Sequence, residues 1–446
     1  MKKNVRNRII VGGIIAILIS SLIIGAVVQR NNNTSQLSKE DTIEKQALTE
    51  TKEFTEDDFP YNIKFKDIAA GDQFSMALDE EGYLWIWGVG HPGKNGNGEI
   101  EFRCDADSKS QSDWPLGMTA TDPRNRCYPK KVSERKFSKI FAGDYTAFAI
   151  DEEGFLYGWG YNNYHQLGFN DNSLWKVNLT PIKSNLYFSE IDTSYWSTAA
   201  IDENGDVWVW GTFAEFENYE ANSDYKVTYY SEPTNITNSI STKFIDVAVT
   251  QYSCAAIDEN GSLWTWGFAG PVFRGSNGDS AWDYGLLCTN KLGTTVQNMT
   301  KVKDDVVYKK IDGGQTYVIA TDENDNIWSW GKGTGTGLGD TNVHSNPTII
   351  TSKRKFTYTN INHESNIALD DKGNVWAWGN NGRSQFGEDA SSVSAPINIH
   401  IGENFKKVAV SNSHSLLLKE DGTLYGCGNS SSLGIGYALG MSDYTR

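Results

Sequence analysis

Cysteine and histidine are scarce in this chain, which holds 5 cysteines and 6 histidines among 446 residues. The cysteines are too few and too irregularly spaced for a disulfide framework, and no pair of cysteines or histidines has the spacing of a zinc site. An excess of basic residues is also lacking, because the formal net charge is −16. Sequence-independent nucleic-acid binders need a basic face, so we expect no nucleic acid among the partners.

The amino terminus has an uncharged apolar run, residues 9–28, behind a basic tail, residues 1–8. A helix of this length spans about 30 Å, the thickness of the hydrocarbon core of a bilayer. Basic residues before the run predict a single-pass anchor in the plasma membrane, with the amino terminus cytoplasmic and the remainder extracytoplasmic. The alternative is a cleaved secretory signal, whose apolar region is usually shorter. Residues 29–58 are polar and predict a flexible stalk before a folded region, 59–446.

The folded region repeats one eighteen-residue unit seven times. Each copy has a leading residue that is usually small, a short apolar run, Asp-x-x-Gly or a close variant, and an aromatic alternation ending in Gly. The copies are residues 71–88, 143–160, 194–211, 250–267, 314–331, 362–379 and 411–428. Asp-x-x-Gly between two apolar runs predicts a β-hairpin, and a period of roughly 50 residues is typical of propellers. We therefore expect an all-β, seven-bladed β-propeller with indole rings packed between blades.

The two ends of the repeat array suggest how the ring closes. Most copies are followed by Pro and a short apolar strand, but no such strand follows the seventh copy. The segment Pro60–Phe65 precedes the first copy and belongs to none of the others. We expect this N-terminal strand to complete the last blade and so to remove an open sheet edge.

The repeats resemble those of the regulator-of-chromosome-condensation family. The matching residues are the Gly-x-x-x-Ser/Thr-x-Ala-Leu/Ile-Asp-x-x-Gly-x-Leu/Val-Trp-x-Trp-Gly core, with downstream extensions at Tyr161–Gly168 and Asn380–Gly387. The resemblance covers roughly residues 60–436 and implies a seven-bladed propeller. It implies no single function, because relatives include a nuclear exchange factor for a small GTPase, regulatory modules and secreted bacterial inhibitors of β-lactamases. Guanine-nucleotide exchange is not expected of an acidic, membrane-anchored chain, which keeps the family's usual histidine only at His414.

Catalytic motifs are absent from the sequence. The glycine-rich run Gly331–Gly339 lacks the spacing of a phosphate-binding loop, and Asp322–Asn326 is followed by Ile327 where a calcium loop needs Gly. The turn aspartates are expected to hydrogen-bond the turn backbone. We therefore expect no enzyme, no cofactor and no metal.

Binding is expected on the two variable residues that follow each leading residue, which in this family lie on loops near the ring axis. The candidate binding residues on these loops are Gln73, Tyr145, Tyr195, Trp196, Tyr252 and Gln315. Aromatic residues on three neighbouring blades predict a binding hot spot. The alternative is that these rings plug the central channel and pack on one another.

Two long insertions supply the other candidates, Trp114 in the first blade and Trp282 in the fourth. Such loops suit protein or glycan contact, or they are simply tolerated. Cys104 and Cys127 bracket the first insertion and could close it with a disulfide bond.

Together these features predict a bacterial, monomeric, non-enzymatic propeller that binds another protein or an envelope glycan. The alternatives are an inhibitor or regulator of a secreted or envelope enzyme and a carbohydrate- or cell-wall-binding module.

Overall fold

The computed structural model describes part of the chain. The described residues are 63–72, 74–88, 129–182, 186–215, 226–268, 284–288, 295–350, 355–387, 391–400 and 405–428. The expected tail, anchor and stalk lie outside these ranges. Within them, the chain forms no helix that is both long enough and apolar enough to cross a membrane.

The described residues form β-strands and a single turn of 3₁₀-helix, Thr334–Thr336. Strands β1 to β7 are Phe65–Ala70, Phe74–Asp79, Tyr83–Gly88, Lys130–Ala142, Thr146–Asp151, Leu156–Tyr161 and Trp175–Pro181. Strands β8 to β15 are Phe188–Thr193, Ser197–Asp202, Val207–Glu215, Lys226–Asn235, Phe244–Val249, Ser253–Asp258, Leu263–Phe268 and Thr295–Lys301. Strands β16 to β23 are Tyr308–Gly313, Tyr317–Asp322, Ile327–Lys332, Val343–Ile349, Phe356–Asn362, Ser365–Asp370, Val375–Gly379 and Val393–His400. Strands β24 to β26 are Phe405–Val410, His414–Lys419 and Leu424–Gly428.

Every described sheet is an antiparallel meander in which neighbours in sequence are neighbours in space. Strands β8–β11, β12–β15, β16–β19 and β20–β23 form four-stranded sheets, and β24–β26 form a three-stranded one. Strands β1–β7 form one sheet because β4 pairs with both β3 and β5, through Trp85↔Lys131 and Phe137↔Asp151. This arrangement confirms the predicted all-β, propeller-like class.

The aspartate of each hairpin turn organises the strand that follows it. In the fourth copy, Asp258 Oδ1 accepts the amide protons of Asn260 and Ser262 at 2.9 and 2.8 Å, and Oδ2 accepts the indole N–H of Trp264 at 2.9 Å. The same indole-to-carboxylate bond joins Trp85 to Asp79, Trp208 to Asp202, Trp328 to Asp322 and Trp376 to Asp370. The expected bonding of the turn backbone is confirmed, and the indole bond is an addition to it.

The turn glycine is required because the backbone bends tightly against the next sheet. Gly261 has φ +78°, and a Cβ there would lie 2.9 Å from the carbonyl oxygen of Tyr308. The Gly261 carbonyl accepts the Tyr308 amide proton at 2.8 Å, which ties one sheet to the next. In the fifth copy Asp325 takes the glycine's place with φ +63°, a region that aspartate tolerates.

The second tryptophan of the repeat fills the space between neighbouring sheets. Trp210, Trp330 and Trp378 are fully buried. The indole N–H of each donates to a backbone carbonyl in the segment that follows the preceding copy, at Gln166, Leu286 and Gly335 respectively. The predicted packing of indoles between sheets is therefore confirmed. Cys254 and Cys427 are buried within repeat strands.

The first and last sheets are in direct contact. The Phe65 amide donates to the Gly422 carbonyl at 3.0 Å, and a 2.8 Å hydrogen bond joins Ser75 Oγ to His414 Nε2. One boundary in the expected closing strand is wrong: Phe65 opens β1 and pairs with Asp79 of β2, so it belongs to the first sheet. Residues 60–62 lie outside the described residues.

Candidate functional site

Seven aromatic side chains from three neighbouring sheets form one continuous group, here called the aromatic cluster. Its members are Tyr145, Tyr161, Tyr164, Tyr195, Trp196, Tyr252 and Tyr284. The ring centroids of Tyr145 and Tyr195 are 5.2 Å apart, those of Tyr195 and Trp196 are 6.0 Å apart, and those of Trp196 and Tyr252 are 6.3 Å apart. These edge-on and tilted arrangements are the favoured geometries of aromatic pairs.

The loops that carry the cluster are short and held by their own backbone. The leading residue donates its amide proton to the carbonyl three residues later, as from Gly143 to Thr146 at 2.9 Å and from Ser194 to Ser197 at 2.9 Å. The carbonyl groups of Tyr145, Trp196 and Tyr252 each accept an amide proton from a residue of a neighbouring strand. These backbone hydrogen bonds therefore fix the position of the Cα atom from which each aromatic side chain extends.

A cavity of 360 Å³ lies among the inner strands of the sheets, with Asp144, Tyr195, Gln251, Gln315, Asn362 and His363 at its loop end. Its wall is charged, because it is lined on each inner strand by the residue two positions after a buried phenylalanine or tyrosine. These residues are Asp67, Lys139, Glu190, Asp246, Lys310, Tyr358 and Lys407. None of these residues was predicted from the sequence, although a charged residue in an otherwise apolar strand, present at six of the seven positions, is the signal that could have identified them.

The lysines of the wall are paired with carboxylates. Lys139 Nζ lies 3.1 Å from Glu190 Oε2, Lys310 Nζ lies 3.0 Å from Asp312 Oδ2, and Lys407 contacts Asp67. These pairs join neighbouring sheets or sit within one inner strand, so the lysine charges are already neutralised.

Two other wall carboxylates accept backbone amide protons from the next sheet. Asp192 Oδ2 accepts from Val249 N at 2.7 Å, and Asp246 Oδ2 accepts from Ile311 N at 2.8 Å. Burial raises the pKa of Asp192 to about 7, and it raises that of Asp246 well above its usual range. Both groups serve the packing of the inner strands.

A second pair of carboxylates, Asp72 and Asp144, lies at the loop end. The Asp72 amide donates to the Asp144 carbonyl at 2.9 Å, and both side chains are buried. Burial raises the pKa of Asp144 to about 6; the charge of His363 lowers it, Asp72 raises it, and a hydrogen bond from Asn362 lowers it. Burial and the nearby Asp72 also raise the pKa of Tyr145, whose hydroxyl bonds that carboxylate.

Sequence comparison supports the family suggested by the repeats. Profiles of the regulator of chromosome condensation (RCC1) repeat match residues 65–99, 137–166, 153–201 and 405–432. These segments of the chain are similar to the RCC1 repeat. Two relatives from Arabidopsis thaliana are the mitochondrial RCC1 domain-containing protein RUG3, 24% identical over 219 residues, and the ultraviolet-B receptor UVR8, 26% identical over 233. Each match covers 48% of this chain and 44% and 42% of RUG3 and UVR8, so the chain spans less than half the length of these relatives.

Solved structures show the same fold. Human WBSCR16 superposes with a TM-score of 0.61 at 16% identity, covering 80% of this chain and 86% of WBSCR16. Yeast RCC1 (Prp20) bound to Kap60 superposes with a TM-score of 0.59 at 17% identity, covering 90% of this chain and 89% of the yeast chain. At these identities the likeness establishes an RCC1-like propeller fold and nothing about activity.

Of the residues predicted to bind, the structure brings Tyr145, Tyr195, Trp196 and Tyr252 together and places Gln315 at the loop end of the cavity. Gln73, Trp114, Trp282, Cys104 and Cys127 lie outside the described residues. Tyr161, Tyr164 and Tyr284 complete the cluster and were not predicted from the sequence. All three lie after the eighteen-residue repeat units, where the sequence does not indicate which way a side chain points.

Proposed function

We propose that this RCC1-repeat chain is a non-enzymatic module that binds a partner protein through the aromatic cluster. The observation that carries the proposal is that seven aromatic rings form a continuous group across three sheets. Six of these seven side chains keep part of their surface exposed. The rings pack on one another, as the alternative interpretation holds, and this packing fixes them in place. Rigid, amphipathic Tyr and Trp side chains supply much of the binding energy at protein interfaces.

The relatives of this chain are named for different activities. They include an ultraviolet-B receptor, a ubiquitin-protein ligase and a guanine nucleotide exchange factor. The shared repeats therefore do not transfer one activity to this chain. Binding is the property that the geometry of this chain supports, and nucleotide exchange is not proposed.

Capture of the partner tests this function. The full chain and a Tyr195→Ser, Trp196→Ala variant would be used to capture proteins from cells that express the chain, and binding of the purified partner would then be measured. Loss of a hot-spot aromatic residue costs about 2 kcal/mol, so we expect Kd to rise roughly 30-fold. The matched control is Val343→Ser, Ile397→Ser, which changes exposed apolar residues on outer strands. Equal Kd for both variants would contradict the proposal.

The nature of the captured partner separates the alternatives. A tight complex with an envelope enzyme, with inhibition of that enzyme, would make the chain an enzyme regulator. Retention on purified cell-wall glycan, lost in the same aromatic variant, would make it a carbohydrate-binding module.

We also propose that the array closes as a seven-bladed ring. The Phe65-to-Gly422 hydrogen bond supports closure, because it repeats between the last and first sheets the contact made between successive sheets by Tyr308 and Gly261. Removal of residues 1–66 should then lower the melting temperature, whereas removal of residues 1–53 should not. Equal melting temperatures would contradict the closure.

Display outside the cytoplasm is part of the proposal, with residues 9–28 as the membrane anchor. Protease added to intact cells should digest the propeller or release it from the anchor. A propeller that is protected until the membrane is opened would refute this location.

A further inference from the structure

Two buried carboxylates, Asp144 at the loop end of the cavity and Asp72 beside it, pair with no lysine or arginine of the described residues. Asp72 and Asp144 are 7% and 8% exposed, and the backbone bond between them fixes their loops side by side. Within the described residues, neither forms an ion pair with a lysine or an arginine. The cavity's three lysines are engaged by Glu190, Asp312 and Asp67 instead. Of the basic side chains, only that of His363 is described as acting on the pKa of Asp144, and it lowers that pKa. Two buried carboxylates beside a single histidine are costly, so a further cation arriving there would be bound favourably.

An unpaired acceptor lies beside this pair. Asn362 is 7% exposed, lines the cavity and donates its side-chain amide to Asp144. Its Oδ1 atom has no hydrogen-bond partner among the described residues. A buried amide oxygen without a donor is uncommon in folded proteins. Here it adds a third oxygen acceptor next to the two carboxylates, which indicates a ligand that brings several N–H donors.

The chemistry of the surroundings selects among cations. The described residues contain no group of three carboxylate, histidine or cysteine side chains suited to a metal ion. The rings of Tyr145 and Tyr195, whose centroids are 5.2 Å apart, lie on the loops next to the acceptors. A guanidinium is planar, carries five N–H donors and stacks on aromatic rings, so it matches both the acceptors and the rings.

We infer that Asp72, Asp144 and Asn362, with Tyr145 and Tyr195 at their side, form a pocket for an arginine side chain of the partner protein. The inference rests on the binding function proposed above and names the chemistry of its partner. The aromatic cluster supplies contact area, and the carboxylate pair supplies selection for a basic residue. A net charge of −16 favours the approach of such a partner.

The direct test uses small probes and the full chain. Nα-acetyl-arginine amide, the corresponding lysine compound and the uncharged citrulline analogue would be titrated and followed by saturation-transfer NMR. We expect saturable binding of the arginine compound, at least tenfold weaker binding of citrulline, and weaker binding of lysine. Equal binding of arginine and citrulline, or no binding of arginine, would overturn the inference. Equal binding of lysine would overturn its commitment to a guanidinium.

Two variants locate the pocket. Asp144→Asn and Asp72→Asn each remove one charge with little change of shape, and both should weaken arginine binding at least tenfold. The matched control is Asp421→Asn, which removes a carboxylate that is 66% exposed at a hairpin turn. Circular dichroism would establish that each variant is folded, and if Asp144→Asn fails to fold, Asp72→Asn decides alone. Unchanged arginine binding in a folded variant would contradict the pocket.

The captured partner distinguishes this inference from the proposed function. If partner binding depends on Tyr195 and Trp196 and is unchanged in Asp144→Asn, the binding function stands and the arginine pocket is wrong. If partner binding depends on neither the aromatic residues nor Asp144, both are wrong. Dependence on both, together with loss of binding when a partner arginine is changed to alanine, supports both.

Discussion

Replacing Asp258 with asparagine tests whether the turn aspartate holds the repeat together. The carboxylate is 2% exposed and accepts three hydrogen bonds, two from backbone amides and one from the indole of Trp264. Burial raises the pKa of Asp258, but the bonds from Trp264 and from the turn amides lower it more, so the net shift is downward. The folded protein therefore favours the ionised form at this position.

The loss of stability expected for Asp258→Asn follows from the three hydrogen-bond donors that surround this side chain. Asparagine can offer one oxygen to the two amides, but its NH₂ group then faces the indole N–H, donor against donor. A hydrogen bond to a charged group contributes about 1.5–3 kcal/mol, and a buried unsatisfied donor costs about 1–3 kcal/mol. We expect a loss of about 2–4 kcal/mol in the free energy of unfolding. With a denaturant slope of roughly 3 kcal/mol/M, the urea midpoint should fall by about 1 M.

A double-mutant cycle identifies the cause. Trp264→Phe removes the indole donor, so Asp258→Asn should cost about 1–2 kcal/mol less in that background than in the wild type. Glu259→Gln is the matched control, because it removes a neighbouring exposed charge from the same turn. Equal urea midpoints for Asp258→Asn and Glu259→Gln, or purely additive effects in the cycle, would refute the reasoning.

Three further predictions concern stability. Asp325 has positive φ and contacts Lys309, so Asp325→Ala should cost about 1 kcal/mol while Asp325→Gly stays nearly neutral in urea unfolding. Burial lowers the pKa of His414 to about 3. Its contribution to the free energy of unfolding is therefore present above pH 6.5 and is lost as pH falls, by at most about 1.4 kcal/mol per pH unit. The variant His414→Gln should abolish this loss. Burial raises the pKa of Asp192 to about 7, so its contribution to the free energy of unfolding is present at low pH and is lost as pH rises through 7. The variant Asp192→Asn should flatten this part of the plot of unfolding free energy against pH. An unchanged pH profile in either variant would contradict the assigned group.

The hairpins and their turns could be predicted because their physics repeats with the sequence. Every copy has the same local structure, a tight turn followed by a strand packed against the next sheet. Gly261 at positive φ and the buried Trp266 therefore recur at fixed positions, as Gly205 and Trp210 do. The bond between the turn aspartate and the first tryptophan was missed, although its six-residue spacing is constant, because it joins two side chains across the hairpin.

The continuous strand β4 could not be predicted. Its first half pairs with β3 and its second half with β5, so one strand serves two sheets. The sequence around it has a break in the repeat pattern after Gly88 and a proline at residue 129, and both suggest separate elements. Strand continuity depends on the distance between sheet edges, which no local pattern records.

The aromatic loops were predicted in part, because their positions within the repeat were known from the resemblance and their residue types from the sequence. What the sequence left open was whether the rings meet. The rings of Tyr145 and Tyr195 come from loops about 50 residues apart in sequence, and they meet because the backbone of each short loop is fixed by its own hydrogen bonds.

The charges around the cavity follow a different rule from the turns. A turn aspartate bonds within its own copy and recurs in six of the seven copies, with Lys419 in the seventh. An inner-strand residue is matched to a residue of a neighbouring sheet and is free to differ. Lys139 pairs with Glu190, and Lys407 contacts Asp67. Each of these pairs joins two particular sheets, so the residue types involved differ from one copy to the next. After these pairs are made, Asp144 and Asp72 have no lysine or arginine partner among the described residues, and only His363 acts on Asp144, which places the site best suited to an external cation beside the aromatic cluster.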